Sequence, residues 1–252
     1  PLVLVDGVER DLDNLDTSQI ESFSVLKDAS ASAMYGVRGA NGVIVITTKH
    51  GKIGPPQIKF HVEHSINQPT QLPEFLNAPD YMTLLNNLAQ QDNQVEPFTQ
   101  TQIDRTRSGY DPDLYPDVNW VDAITKDYAY TTRANVDVSG GSDFLRYSIV
   151  ASYFRETGIL EQDKSLPVDN STNNQQFYLH SNLDMDVTKT TTLRVNIGGY
   201  LNRFRKQRCN TDGAFSNAFA TLPFVHPTHY SDGSIPVISN RSNPWAEVTQ
   251  GG

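Results

Sequence analysis

From residue 57 onward, apolar and polar side chains alternate in long runs. In QIKFHVEHSI, Ile58, Phe60, Val62 and Ile66 share one face, while Lys59, His61, Glu63 and Ser65 share the other. A period of two is the periodicity of a strand. YAYTTRANVDVSG sets Tyr128, Tyr130, Thr132, Ala134, Val136 and Val138 against Arg133, Asn135 and Asp137, and FLRYSIVASYF aligns Leu145, Tyr147, Ile149, Ala151 and Tyr153. FYLHSNLDMDV sets Phe177, Leu179, Leu183, Met185 and Val187 against His180, Asn182, Asp184 and Asp186. LRVNIGGYL sets Leu193, Val195, Ile197 and Leu201 against Arg194, Asn196 and Asn202. Each run predicts a strand with one apolar and one wet face.

The connections add geometry. SGGSD and TKTTT are short enough for hairpins, whereas residues 67–127 and 155–175 form links far longer than the usual loop of about 4–6 residues. Short and long connections alternate. Outer-membrane barrels have short periplasmic turns and long outer loops, so the first run is expected to climb outward, with residues 1–50 on the periplasmic side or in the lumen. On this reading a charge is costly at Ile149 and tolerated at Asn182. The alternative is a soluble, β-rich glycan- or protein-binding domain with one wet face.

Residues 1–50 have another texture. LVLVDG predicts a strand and an Asp-Gly turn, and Asp16 or Thr17 suits the N-cap of a short turn before a second strand. In VLKDASASAMYGVRGANGVIVITTK, Asp28 is placed to cap a small-sided helix over 29–35 that Gly36 ends in a left-handed conformation. Gly36, Gly39 and Gly42 loosely imitate a nucleotide loop. Such a loop must open a helix, however, and here the β-branched run Val43–Thr48 follows, with no Gly-Lys-Ser/Thr. The glycines are read as corners. HGKIGPP then breaks the pattern, dividing the chain into regions 1–52 and 53–252. Inside the first long link, NAPDYMTLLNNLAQQ predicts a helix capped by Asp80, docking through Tyr81, Leu84, Leu85 and Leu88.

Composition narrows the classes. The 252 residues carry a net charge of -9, which argues against nucleic acid as a partner. The mean hydropathy is -0.47, and no run approaches the roughly 18 apolar residues of a membrane-spanning helix. Barrel strands give a weaker signal and stay open. Cys209, the single cysteine, has no internal partner for a disulfide. The chain opens within a strand-like run without Met, and the expectation is a piece of a longer protein.

Candidate chemistry is sparse. Asp111, Asp113, Asp117 and Asp122 crowd DPDLYPDVNWVD, but the glycine and terminal glutamate of a calcium loop are missing. His226 and His229 lack a nearby third zinc ligand. No nucleophile elbow is visible, so neither catalysis nor a metal or cofactor is assigned. Tyr110, Tyr115, Trp120 and Trp245 lie among polar loop residues, a mixture that can stack on a ligand or simply pack the loops.

The stretches PLVLVDGV and IESFSVLKDASASAMYGVRGANGVIVITTKHGK resemble the C-terminal part of the plug domain of the SusC/RagA family of TonB-dependent outer-membrane transporters of Bacteroidota. NAPDYMTLLNNLA, NWVDAI, VSGGSDFLRYSIVASYFRETGIL and SNPWAE are similar to the family's early barrel, so the resemblance spans nearly the whole chain. It implies a small α/β plug segment followed by antiparallel strands of an incomplete barrel, five out of about 22. It further implies a Gram-negative outer-membrane location, a SusD-like surface lipoprotein as lid, TonB–ExbB–ExbD acting through segments outside this chain, and glycan or peptide as ligand. Asp28, Tyr35, Gly36, Arg38, Gly39, Asn41 and Gly42 match the plug signature, with structural roles.

Overall fold

The computed structural model describes all residues except 13–14, 28–33, 164–170, 208, 238–242 and 251–252. The described residues divide into two compact units.

The first unit comprises residues 1–65, 130–156 and 174–203. Its smaller sheet contains β1 (Leu2–Val5), β2 (Val8–Glu9), β3 (Ile20–Leu26) and β4 (Val43–Thr48) in the order β2-β1-β4-β3. β1 runs parallel to β4, and the other pairs are antiparallel. Asp6 and Gly7 both have positive φ, the requirement of a tight two-residue hairpin. Asp16 accepts the Ser18 N–H at 2.7 Å and caps the turn that leads into β3. Leu4 and Val43 form this sheet's small core, flanked by Leu2, Leu26, Tyr35 and Val45.

The larger sheet follows sequence order: β5 (Gly54–Asn67), β6 (Ala129–Gly141), β7 (Leu145–Thr157), β8 (Asn173–Thr188) and β9 (Thr191–Arg205). The sheet is open, with β5 and β9 at its edges. Strands of 13 to 16 residues exceed the 9–11 that cross a bilayer. Its polarity is the reverse of a soluble sheet. Phe60, Leu179 and Ile197 are 70%, 53% and 58% exposed, whereas Ser148, His180 and Asn182 are buried. Water would penalise that arrangement by about 25 cal/mol for every Å² of apolar surface left exposed, and a hydrocarbon surrounding removes the penalty.

The second unit comprises residues 66–129, 157–173 and 204–252. It holds α1 (Ala78–Gln91), α2 (Gln100–Ser108), α3 (Trp120–Ile124), α4 (Thr211–Ala220) and α5 (Pro244–Gln250). Trp120, Ile124, Leu160, Cys209, Ala214, Ala218 and Val248 make its core. Thr99 and Gln102 form a reciprocal capping box on α2.

Two expectations for α1 need correction. Its N-cap is Asn77, which accepts the Asp80 N–H at 2.9 Å; Asp80 itself sits in the first turn. Its buried side is Ala78, Pro79, Met82 and Asn86, while Leu84 and Leu88 are exposed. On that buried side the Asn86 carboxamide donates to the Phe98 carbonyl at 2.7 Å and accepts the Phe98 N–H at 3.0 Å, which ties α1 to the segment ahead of α2.

Candidate functional site

Within the first unit, the end of β4 meets the wet face of the larger sheet through a dense polar contact. Thr48 is fully buried. Its N–H donates to Asp6 Oδ1 at 2.9 Å and its hydroxyl to Asp6 Oδ2 at 2.5 Å. With its only proton engaged, Thr48 Oγ1 accepts from Asn182 Nδ2 at 2.6 Å and from His180 Nε2 at 3.2 Å. Asn182 also donates to the Lys49 carbonyl at 2.8 Å, and Asn196 donates to Asp6 Oδ2 at 2.9 Å. Lys49 Nζ lies 2.8 Å from Asp137, His50 lies 3.1 Å from Asp184, and the hydroxyls of Ser18 and Ser152 are 2.7 Å apart. The wet face is thus tied to the small sheet at several points, while the buried Asn135 Oδ1, Asp137 Oδ1 and Asn182 Oδ1 have no hydrogen-bond partner among the described residues.

Asn182 therefore differs from the expectation of an open, charge-tolerant position. Its carboxamide is sealed beneath Thr48 and Lys49, where an unmatched charge would be desolvated. The link to β5 is also tightly held. A Cβ on Gly51 would lie 2.3 Å from the Tyr147 backbone nitrogen, so only glycine passes there. Beside it lies a polar cavity of about 420 Å³, lined in part by His50, Lys59, Asp137 and Ser139.

The signature residues occupy the corner between β3 and β4. Tyr35 is half-buried against the Leu4–Val43 core, and Gly36 has φ +61. Arg38 pairs with Glu9, Asn41 is exposed, and Gly39 is buried with its carbonyl accepting the Gly42 N–H at 2.9 Å. Gly42 has φ +85, and its carbonyl accepts the Leu2 N–H at 3.0 Å. Of the helix expected over 29–35, Met34 and Tyr35 are helical, while Asp28 and residues 29–33 lie outside the described residues.

The four loop aromatics fall into two places in the second unit. Tyr110 and Tyr115 flank Arg105, whose guanidinium sits 5.3 and 5.4 Å from their ring centres and donates to the Tyr115 hydroxyl at 2.8 Å. Trp120 is in the helical core, its indole N–H donating to the Leu222 carbonyl at 3.3 Å, and Trp245 packs against that core. His226 lies 4.8 Å from the Trp120 ring, hydrogen-bonded to the Pro227 carbonyl. Burial pushes its pKa below the ordinary value, with that hydrogen bond opposing. The aspartates hold turns: Asp111 accepts from the Asp113 N–H, Asp113 from Ser231, Asp117 from the Ala78 N–H and Asp122 from Asn119.

Thr48 and Asp6 were not singled out from the sequence. Thr48 ends an apolar run, and its partners lie more than a hundred residues away. The one available signal was the row of polar side chains along each wet face.

An open antiparallel sheet with apolar side chains outward, whose polar face is hydrogen-bonded to a small α/β element, defines a class: part of a plugged outer-membrane β-barrel. Residues 1–43 match the family model described as TonB-dependent Receptor Plug Domain. The chain is 33% identical over 247 residues to TonB-dependent receptor P3 of Formosa agariphila, covering 92% of this chain and 21% of that protein. It is 28% identical to TonB-dependent receptor P26 of the same organism, covering 98% and 24%, and 26% identical to TonB-dependent receptor SusC of Bacteroides thetaiotaomicron, covering 88% and 21%. A solved structure of the RagAB peptide transporter superposes with a TM-score of 0.71 at 22% identity, covering 98% of this chain and 30% of that one. The chain is a SusC/RagA-like segment of a TonB-dependent receptor, an outer-membrane protein of the Bacteroidota type, and spans about a fifth to a quarter of these curated relatives.

Proposed function

We propose that this chain supplies the plug end and first wall strands of a transporter that imports a large nutrient, an oligosaccharide or a peptide, across the outer membrane. Residues 1–52 act as the C-terminal part of the plug and residues 53–252 as the first barrel strands with their outer loops. Asp28, Tyr35, Gly36, Arg38, Gly39, Asn41 and Gly42 shape the plug corner and do not contact ligand. A SusD-like lipoprotein closes the outer side, and TonB–ExbB–ExbD supplies energy through segments outside this chain. The role is transport, not catalysis. One observation carries the reading: the polar wall face is buried against the plug through Thr48, Asp6, His180 and Asn182, while the apolar face is exposed. A soluble binding domain would need the opposite polarity.

The test is growth on the nutrient in cells lacking the native gene. Full-length protein should restore growth and lose that ability when TonB is deleted. Residues 1–252 alone should not, because five strands leave two open edges, and each unpaired backbone group in hydrocarbon costs several kcal/mol. Rescue by the segment alone would overturn the proposal.

A further inference from the structure

The small sheet meets the wall at two places that differ in kind. At the first, the hold is spread over three wall strands. Thr48 meets His180 and Asn182 on β8, Lys49 meets Asp137 on β6 and, through its carbonyl, Asn182 again, and His50 meets Asp184 on β8. Gly51 is wedged against the Tyr147 backbone on β7. At the entry to β3 the Ser18 hydroxyl reaches Ser152, also on β7, and the neighbouring Gln19 carbonyl accepts the Lys49 N–H at 2.9 Å. β3 and β4 are therefore fastened to the wall as one antiparallel pair.

The β1–β2 hairpin is held differently. Among the described residues, the side-chain hydrogen bonds from residues 2–10 to the wall both fall on Asn196 of β9. Its Nδ2 donates to Asp6 Oδ2 at 2.9 Å, and its Oδ1 accepts from Arg10 Nη2 at 3.4 Å. One carboxamide thus clasps the hairpin at its turn and just beyond its second strand. Two residues on, a Cβ on Gly198 would lie 3.2 Å from Arg10 Nη1, so the lack of a side chain there leaves room for the guanidinium. Toward the rest of the small sheet, β1 pairs in parallel with β4 over Leu2–Val5, and Asp6 bonds Thr48. A parallel ladder is slightly weaker per residue than an antiparallel one, and the β3–β4 pairing is also the longer. Without Asp6, Thr48 Oγ1 would still have Asn182 and His180.

We propose that the plug divides along the β1–β4 boundary: the β1–β2 hairpin is a releasable element clasped to the wall by Asn196, and β3, β4 and the link to β5 are a fixed anchor. Under a pull on the plug, one parallel ladder and one wall residue give way before the many contacts that hold Thr48 to Gly51. As a step of import, this division rests on the transporter reading; as mechanics, it is tested separately.

The experiment is force spectroscopy on the full-length receptor, held in a bilayer and pulled by its N-terminus. Two crosslinked variants are compared with the unmodified protein. Ser18→Cys with Ser152→Cys places two thiols where hydroxyls now stand 2.7 Å apart, close enough for a disulfide. Asp6→Cys with Asn196→Cys is joined by a short bis-methanethiosulfonate linker. The bridge between positions 18 and 152 should leave the low-force extension unchanged, because that extension ends at the anchor. The bridge between positions 6 and 196 should shorten it by about 40 Å, the extended length of the chain from residue 6 to residue 18, and reduction should restore it. Asn196→Ala should release the hairpin about tenfold faster at constant load, with the extension unchanged. Shortening by the 18–152 bridge, no reversible shortening by the 6–196 bridge, or an unchanged release rate in Asn196→Ala would overturn the proposal. These readings use neither TonB nor a nutrient, so failure of the transporter reading in the growth test would leave them unaffected.

Discussion

Gly42 and His226 show how single residues set conditions for each unit. Gly42 has φ +85, and an added Cβ would lie 3.2 Å from the Leu26 carbonyl oxygen. Gly42→Val combines a disfavoured backbone with a close contact, so it should destabilise the plug by about 1–3 kcal/mol. Gly199→Val, on β9 with φ outside the left-handed region and open space around its Cβ, is the matched control. Denaturant melting of both full-length variants in detergent checks this. For His226, burial depresses the folded pKa below the ordinary 6.5, so folding favours the neutral ring. The resulting stability is whole above about pH 6.5 and is lost as the pH falls through the depressed folded value. Acidification should therefore increase protease cleavage in the loops of the second unit, and should do so less in His226→Phe.

At the scale of the element, each strand separates two environments by alternate residues. Ile149 is on the exposed apolar face of β7, between the buried Ser148 and Val150. Ile149→Lys should cost about 2–4 kcal/mol if it lies at the bilayer midplane. Ser139→Lys, directed to the polar cavity that Asp137 also lines, should cost little. Equal yields of folded barrel from the two variants, read by heat-modifiable gel migration, would contradict the assignment of faces. These strands were legible because a period of two is local information, and the hairpin turns were legible because short links restrict the geometry. The buried side of α1 was not, because Asn86 is fixed by a backbone partner twelve residues away, a contact that no helical stripe reveals. The sealing of Asn182 was hidden for the same reason: a wet face looks alike whether water or a plug strand covers it.

The whole molecule is two units with different polarities and different tasks. In the first, polar groups are buried between sheets and apolar groups lie outside; in the second, a conventional apolar core around Trp120 and Ile124 holds the loops. The plug corner and the general location could be read from sequence, since the signature is contiguous. Thr48, Asp6 and His180 could not be paired without the fold, and the loop tryptophans divide between a structural core and its edge. The central claim is that the apolar face of β5–β9 meets lipid while the wet face meets the plug. It is tested most directly by quenching with brominated lipid in the full-length protein reconstituted in bilayers. A fluorophore on Leu179→Cys should be strongly quenched, and one on Ser139→Cys should not. Quenching at Ser139→Cys with none at Leu179→Cys, or equal quenching at both, would contradict the account.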